Sequence, residues 1–216
     1  MSKGSVIKQR RAAAEADPVA YEAKRKEIAE AAVRVFDRLG FQKASISAVA
    51  QEMKVDRSTL YYYISSKEEL FDEVVRTVVE RNLDLVRRIA DSKVKPARKL
   101  RDMITALMNS YGEHYPLFYI YIRENLSHVS DDRSEWSRNM REMNRVTTEA
   151  MIRVIEEGMA DGSFRKAGSP RVIAYGVFGI IGWTNRWFRP ADDEVSAEEI
   201  GQTYADMILS GLETPY

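Results

Sequence analysis

Apolar residues recur along most of this chain with the 3.6-residue period of an α-helix. In the first such stretch, Asp17 and Pro18 supply an N-cap and a first helical position, and Gly40 supplies an end. Further helices are predicted for residues 46–53, 57–64, 66–89, 116–122, 170–188 and 196–209. Another helix is predicted to begin at about residue 96, and a long one is predicted to carry residues 136–154 and to end near residue 162. The pattern therefore predicts an all-α protein.

The helices predicted for residues 46–53 and 57–64 are short and are joined by a few residues, as in a helix-turn-helix. In that motif the second helix enters the major groove of DNA, and its first residues reach the bases. Arginine can donate to guanine, and hydroxyl side chains can bond to several base edges. The predicted base-contacting residues are Arg57, Ser58 and Thr59.

Three adjacent tyrosines, Tyr61, Tyr62 and Tyr63, follow on the same predicted helix. Neighbouring helical residues point about 100° apart, so the three rings cannot all enter one core. A phenol can donate to a phosphate oxygen, and its ring can pack against a sugar or a thymine methyl. We therefore expect these rings to flank the DNA. The remaining residues predicted to face DNA are Ser45, Ile46 and Lys67. Lys67 is predicted to contact a phosphate.

The segment GFQKASISAVAQEMKVDRSTLYYYISSKEEL, residues 40–70, resembles the DNA-binding domain of TetR-family transcriptional regulators. The likeness extends over residues 21–70 and is most specific between Thr59 and Lys67. Two positions depart from it, because Lys54 and Ala44 stand where the family often has glycine and threonine. A lysine with a positive φ at position 54 would cost about 1 kcal/mol. The resemblance implies a homodimer on a palindromic operator, with a C-terminal helical domain that binds a small inducer.

Three regions are expected on this basis: a basic tail at residues 1–20, a three-helix helix-turn-helix domain at 21–67, and a ligand-binding and dimerisation domain at 68–216. Residues 1–68 carry 13 Lys+Arg against 9 Asp+Glu, a net charge of +4, whereas the whole chain has a formal net charge of zero. A basic N-terminal third favours a polyanionic partner. The helix at 66–89 joins the last two regions, and we hypothesise that it acts as a lever between them.

The helices beyond residue 96 are rich in aromatic and methionine side chains, which are adaptable linings for an apolar ligand. For any one of these residues, a place in the ordinary core is the competing interpretation. The segment WTNRWFRP, residues 183–190, is similar to one in family members that respond to acyl-CoA thioesters. Arg186 would then meet the anionic part of the ligand, or else form an ion pair between subunits. The predicted ligand contacts are His114, Phe118, Tyr119, Ile122, Met140, Met143, Thr147, Trp183, Arg186 and Trp187.

Glycine recurs at every third residue from Gly176 to Gly182, although each glycine inside a helix costs roughly 1 kcal/mol. Small residues at this spacing let a second helix approach closely, within one subunit or across a dimer. In the family that this chain resembles, two such helices from each subunit form a four-helix interface. The predicted dimerisation residues are Gly176, Gly179, Ile200, Tyr204, Met207 and Ile208.

Composition narrows the function classes. The chain has no cysteine, and His114 and His128 do not have a metal-ligand spacing. The sequence also contains no phosphate loop of the Walker type and no recognisable nucleophile motif. We therefore expect that the protein is not an enzyme and binds no cofactor. The longest apolar run, residues 172–183, is shorter than the about 20 residues that span a bilayer, which favours a cytoplasmic protein without a membrane partner.

The sequence thus predicts a ligand-responsive transcriptional regulator, most simply a repressor. Its partners would be a double-stranded DNA operator, a small apolar effector and a second copy of the chain. An acyl-CoA thioester is one candidate effector. The alternative is a helix-turn-helix protein whose C-terminal domain binds a protein partner.

Overall fold

The computed structural model describes residues 17–127 and 135–214, with side chains described except at positions 72, 73, 77, 123–127 and 135–141. The chain divides into an N-terminal unit, residues 1–77, and a C-terminal unit, residues 78–216. Over the described ranges the regular structure is helical, apart from an isolated bridge between Phe164 and Glu213. The all-α prediction is confirmed. Most of the predicted basic tail, residues 1–16, lies outside the described residues.

From residue 17 onward, where the structure describes it, the N-terminal unit holds three helices and the start of a fourth, namely α1 (Pro18–Leu39), α2 (Ile46–Met53), α3 (Arg57–Tyr63) and α4 (Lys67–Asp91). The first two begin and end where the sequence predicts. Asp17 accepts a hydrogen bond from the Ala20 backbone N–H at 3.0 Å, Gly40 ends α1 with a φ of 72°, and Ser45 Oγ accepts from the Ala48 N–H at 3.2 Å. The third helix ends one residue early because Ile64 is extended.

The core of the N-terminal unit forms around three phenylalanines. The ring centroids of Phe36, Phe41 and Phe71 lie between 4.6 and 5.7 Å from one another. Leu60 and Ile64 point into the same unit and are fully buried. Because Leu60 and Ile64 are four residues apart, one side of α3 is committed to packing and the other is left for solvent or a partner.

The described residues of the C-terminal unit form the rest of α4 and five further α-helices, namely α5 (Pro96–Glu113), α6 (Leu117–Ser127), α7 (Glu135–Ala160), α8 (Pro170–Trp183) and α9 (Ala197–Leu212). Helical spacing of the apolar residues from Leu100 to Tyr111 predicts one buried stripe on α5, and that stripe is buried. α9 packs closely on α5, since a Cβ at Gly201 would stand 2.9 Å from Thr105 Cα. The packing of these two helices fixes one wall of the unit.

Two element predictions need correction. Helical spacing predicts that Leu85 and Ile89 belong to the apolar stripe of the helix at 66–89, but both are only half-buried. The buried stripe of α4 runs instead through Val79, Leu83 and Val86. The helix predicted for 170–188 ends at Trp183 and continues as a 3₁₀ turn, Thr184–Arg186. At that ending Asn185 Nδ2 donates to the Gly182 carbonyl at 2.7 Å, a bond that competes with the helical backbone for this acceptor.

Candidate nucleic-acid interface and ligand cavity

A left-handed residue makes the turn between α2 and α3. Lys54 has φ 56° and ψ 41°, and its N–H bonds to the carbonyls of Ala50 and Gln51. Glycine adopts this conformation without a Cβ clash, so lysine carries a strain of about 1 kcal/mol here. The turn is therefore set by tertiary packing and not by the local residue preference.

The first turn of α3 presents three exposed polar side chains, Arg57, Ser58 and Thr59, directly before the buried Leu60. The guanidinium of Arg57 donates to Tyr61 Oη, with Nη2 at 2.5 Å, and its Cζ lies 5.0 Å from the centre of the Tyr61 ring. An arginine held by a hydrogen bond and a cation–π contact loses less rotamer freedom when it binds a base. The predicted base contacts are therefore brought together at one end of α3.

The three adjacent tyrosines, Tyr61, Tyr62 and Tyr63, make different contacts. Each is half-buried, and only Tyr61 contacts Arg57. The ring of Tyr63 lies 5.1 Å from that of Tyr21 on α1 and 5.1 Å from that of Tyr62. The Tyr63 carbonyl also accepts a hydrogen bond from Arg25 at 3.1 Å. Tyr63 thus fixes α3 against α1, while the other two rings stay partly accessible to a partner.

The structure changes the expectation for two of the remaining predicted DNA contacts. The ammonium of Lys67 donates to the carbonyls of Phe41, Gln42 and Ala44 at 3.0, 3.1 and 3.4 Å. All three ammonium donors face this loop, so Lys67 fastens the connection between α1 and α2. Ile46 is 6% exposed and belongs to the core, whereas the predicted Ser45 is exposed and caps α2.

A cavity of about 380 Å³ lies in the C-terminal unit. Three of the predicted ligand residues line it, namely Phe118, Ile122 and Thr147. The other lining residues are not among the predicted ligand contacts: Val79, Asn82, Leu107, Tyr121, Asn144, Thr148, Tyr175, Phe178, Ile181 and Gly182. Asn82 does interrupt an apolar stripe on α4, and that interruption is the signal that sequence reasoning could have used.

The polar groups around the cavity are neutral, and most bond to the protein. Tyr121 donates to Asn144 Oδ1 at 3.1 Å, and burial raises the pKa of its phenol, so it stays protonated. The hydroxyls of Thr147 and Thr148 donate back to the carbonyls of the residues four positions before them. No charged side chain lines the cavity among the residues described. The arrangement suits an uncharged, largely apolar molecule.

Six other predicted ligand residues lie away from this cavity. His114 is held at the end of α5, with Nδ1 2.9 Å from the Ser110 carbonyl. Tyr119 packs under Arg189, whose Cζ is 4.5 Å from the ring centre. Arg186 lies over Trp183 on the surface. The remaining two are the half-buried Met143 and the exposed Trp187, and the side chain of Met140 lies outside the described residues.

The outer face of α8 is apolar and open. A Cβ at Gly176 or Gly179 would meet nothing within 4 Å, and Trp183 on the same face is 64% exposed. On α9, Met207 is 63% exposed and Ile208 is half-buried. Two predicted interface residues face inward instead, because Ile200 is buried and Tyr204 Oη lies 3.1 Å from Thr184 Oγ1.

Metal sites and membrane-spanning helices are absent from the described part of the chain. There, no three His, Asp or Glu side chains form a group able to hold a metal ion. Within the same residues, no helix is long and apolar enough to cross a membrane.

Each of the two units contains a segment that matches a known protein family. Residues 28–74 match the family model described as bacterial regulatory proteins of the tetR family. Residues 93–212 match the tetracyclin repressor-like C-terminal domain. The transcriptional repressor KstR2 of Mycobacterium tuberculosis is 25% identical over 88% of this chain and 92% of its own length.

Solved structures show the same fold. The structure of M. tuberculosis KstR2, a ketosteroid transcriptional regulator, superposes with a TM-score of 0.80 at 21% identity, over 89% of this chain and 96% of that one. AibR in complex with isovaleryl coenzyme A and operator DNA gives 0.69 at 19% identity, over 85% and 96%. FadR from Bacillus subtilis in complex with stearoyl-CoA gives 0.68 at 18% identity, over 86% and 98%.

Proposed function

The chain belongs to the TetR family of bacterial regulatory proteins, and from this premise we propose that it is a ligand-released repressor. It binds a palindromic operator as a homodimer and leaves it when a small apolar molecule enters the C-terminal cavity. Its relatives are transcriptional repressors, so the chain is a regulator of transcription and not an enzyme. The observation that carries the DNA side of the proposal is the exposed polar first turn of α3.

We assign base recognition to the first turn of α3 because its side chains carry hydrogen-bond donors and acceptors that match base edges. Arg57 supplies paired donors that match guanine O6 and N7, and its contact with Tyr61 limits the directions in which it can point. Ser58 and Thr59 are exposed beside it and can donate or accept at several base edges. In the other half of the motif, α2 and its cap Ser45 support α3, and Lys67 secures the loop before α2.

The test uses duplexes selected by the purified protein from a random library, with fluorescence anisotropy as the readout. Arg57→Ala should cost about 1–3 kcal/mol on the selected sequence and relax the preference at one position of each half-site. Arg98→Ala is the matched control, because Arg98 is an exposed α5 arginine of the C-terminal unit that pairs with Asp102. If the two variants lose equal affinity for the selected duplex, or if neither loses affinity, α3 is not the helix that recognises the bases.

The effector side of the proposal rests on the cavity. AibR and FadR were solved with coenzyme A thioesters, and they share this fold. A thioester would need cationic groups for its phosphates, yet Arg186 lies over Trp183 and not at the cavity. We therefore place an uncharged effector first and a thioester second. If Arg186→Ala weakens the binding of an acyl-CoA while neutral compounds bind unchanged, the order of these two candidates reverses.

A C-terminal unit that binds a protein instead of a small molecule is the rival function. A melting screen separates the two, because a ligand at 100 times its Kd stabilises the folded state by about 2.7 kcal/mol. A hit should lose its effect in Thr147→Met, which adds side-chain volume to the lining of the cavity. A broad screen without any such hit would favour the protein partner.

A further inference from the structure

One polar atom beside the cavity has no partner. Asn82, on α4, is 6% exposed, and its Nδ2 makes no hydrogen bond to any group in the part of the chain that the structure describes. A buried amide donor without an acceptor destabilises the folded protein, because it has lost its hydrogen bonds to water. Asn82 lines the cavity, so an acceptor for it can come from whatever molecule occupies that space.

The other polar groups of the cavity show that this is a local exception. Tyr121 and Asn144 bond to each other, and the hydroxyls of Thr147 and Thr148 bond to the backbone of α7. Buried polar groups in proteins are satisfied in the great majority of cases. Asn82 stands out among the described lining residues because its Nδ2 is both buried and without a partner.

We propose that the effector is an uncharged molecule whose apolar body fills the cavity and whose carbonyl or ether oxygen accepts a hydrogen bond from Asn82 Nδ2. This assignment rests on the proposed function, which makes the cavity the effector site. Rotation about the Cβ–Cγ bond, a soft torsion in asparagine, would turn Nδ2 of Asn82 toward a ligand in the cavity. An anion is disfavoured because its charge would be buried beside apolar and neutral side chains without a cation.

The first test needs no ligand. Asn82→Leu keeps the branched shape and the number of heavy atoms of the side chain and removes the unpaired donor, so the melting midpoint of the protein should stay the same or rise. Asn185→Leu is the matched control, because Asn185 is also buried in the C-terminal unit but bonds to the Gly182 carbonyl. It should lower the midpoint by about 3–8 °C. If Asn82→Leu lowers the midpoint as much as Asn185→Leu, then Asn82 has a structural bond and the proposal falls.

The second test uses three probes of similar size: 1-tetralone, tetralin and tetralin-1-carboxylate. Binding is measured by competition against an apolar fluorescent dye in the cavity. The ketone should bind about tenfold more tightly than the hydrocarbon, as one neutral hydrogen bond provides, and more tightly than the carboxylate. Asn82→Leu should erase the preference for the ketone. Equal binding of ketone and hydrocarbon, tighter binding of the carboxylate, or no binding of the ketone at its solubility limit would overturn the proposal.

Operator affinity is measured on the same wild-type preparation. If the protein selects no operator yet the ketone preference depends on Asn82, the regulatory function fails and the ligand chemistry stands. If it selects an operator and no probe discriminates, the regulatory function stands and the Asn82 assignment fails.

Discussion

Replacing Lys67 by methionine tests whether this residue holds the protein together or touches DNA. The substitution keeps the apolar stem and removes the ammonium that donates to the carbonyls of Phe41, Gln42 and Ala44. A hydrogen bond from a charged donor is worth about 1.5–3 kcal/mol, and the loop carbonyls are partly exposed and can turn to solvent. We therefore expect a net loss of about 2 kcal/mol in the stability of the N-terminal unit.

Hydrogen exchange measured by mass spectrometry reports this loss where it occurs. Amides of α2 and α3 should exchange about 30-fold faster in Lys67→Met, which corresponds to about 2 kcal/mol. Amides of α5 and α9 in the C-terminal unit should keep their rates. Lys26→Met is the control, because Lys26 is an exposed lysine on α1. It should leave exchange in α2 and α3 unchanged.

The salt dependence of operator binding decides between the two roles. Each lost phosphate contact lowers the slope of log K against log salt by about 0.9, or about 1.8 for two subunits. If Lys67 only secures the loop, Lys67→Met should have the slope of the wild type. Unchanged exchange in α2 and α3 together with a slope lowered by about 1.8 would refute the structural role and restore Lys67 as a phosphate contact.

Three further predictions follow from the backbone and surface. Lys54→Gly should stabilise the N-terminal unit by about 0.5–1 kcal/mol in urea unfolding, because it relieves the left-handed strain, whereas Gln51→Gly inside α2 should destabilise it by about as much. Gly201→Ala should lower the melting midpoint, since its Cβ would clash with α5, while Gly211→Ala on the same helix meets open space and should not. Trp183→Glu should shift the protein toward monomer in analytical ultracentrifugation and weaken operator binding; an unchanged dimer would place the interface elsewhere.

The fold was predictable where local chemistry decides it. Asp17, Gly40 and Ser45 act at the ends of α1 and α2 as their side chains and backbone preferences dictate. The end of α8 was not predictable, because it comes after an apolar run with no break, where Asn185 donates to the Gly182 carbonyl. The conformation of Lys54 was not predictable from residue preference either, because lysine disfavours the left-handed backbone conformation that it adopts in this turn.

The candidate sites were predictable to different degrees. The polar start of α3 follows from the order of residues around Leu60, because a short helix with one buried side must expose the other. The role of Lys67 depends on carbonyls more than twenty positions earlier in the chain, and helical spacing carries no information about them. Asn82 shows the same limit, because the lack of a partner for its amide is a property of the packed unit.

The most direct test of the regulatory account is the operator affinity of the wild-type protein, titrated by anisotropy with and without a compound that binds the cavity. If the chain is a ligand-released repressor, the compound weakens operator binding, and saturating operator weakens binding of the compound by the same factor, as linkage requires. A compound that binds tightly in the cavity with equal affinity in the presence and absence of operator would contradict it, because such a ligand shifts no equilibrium.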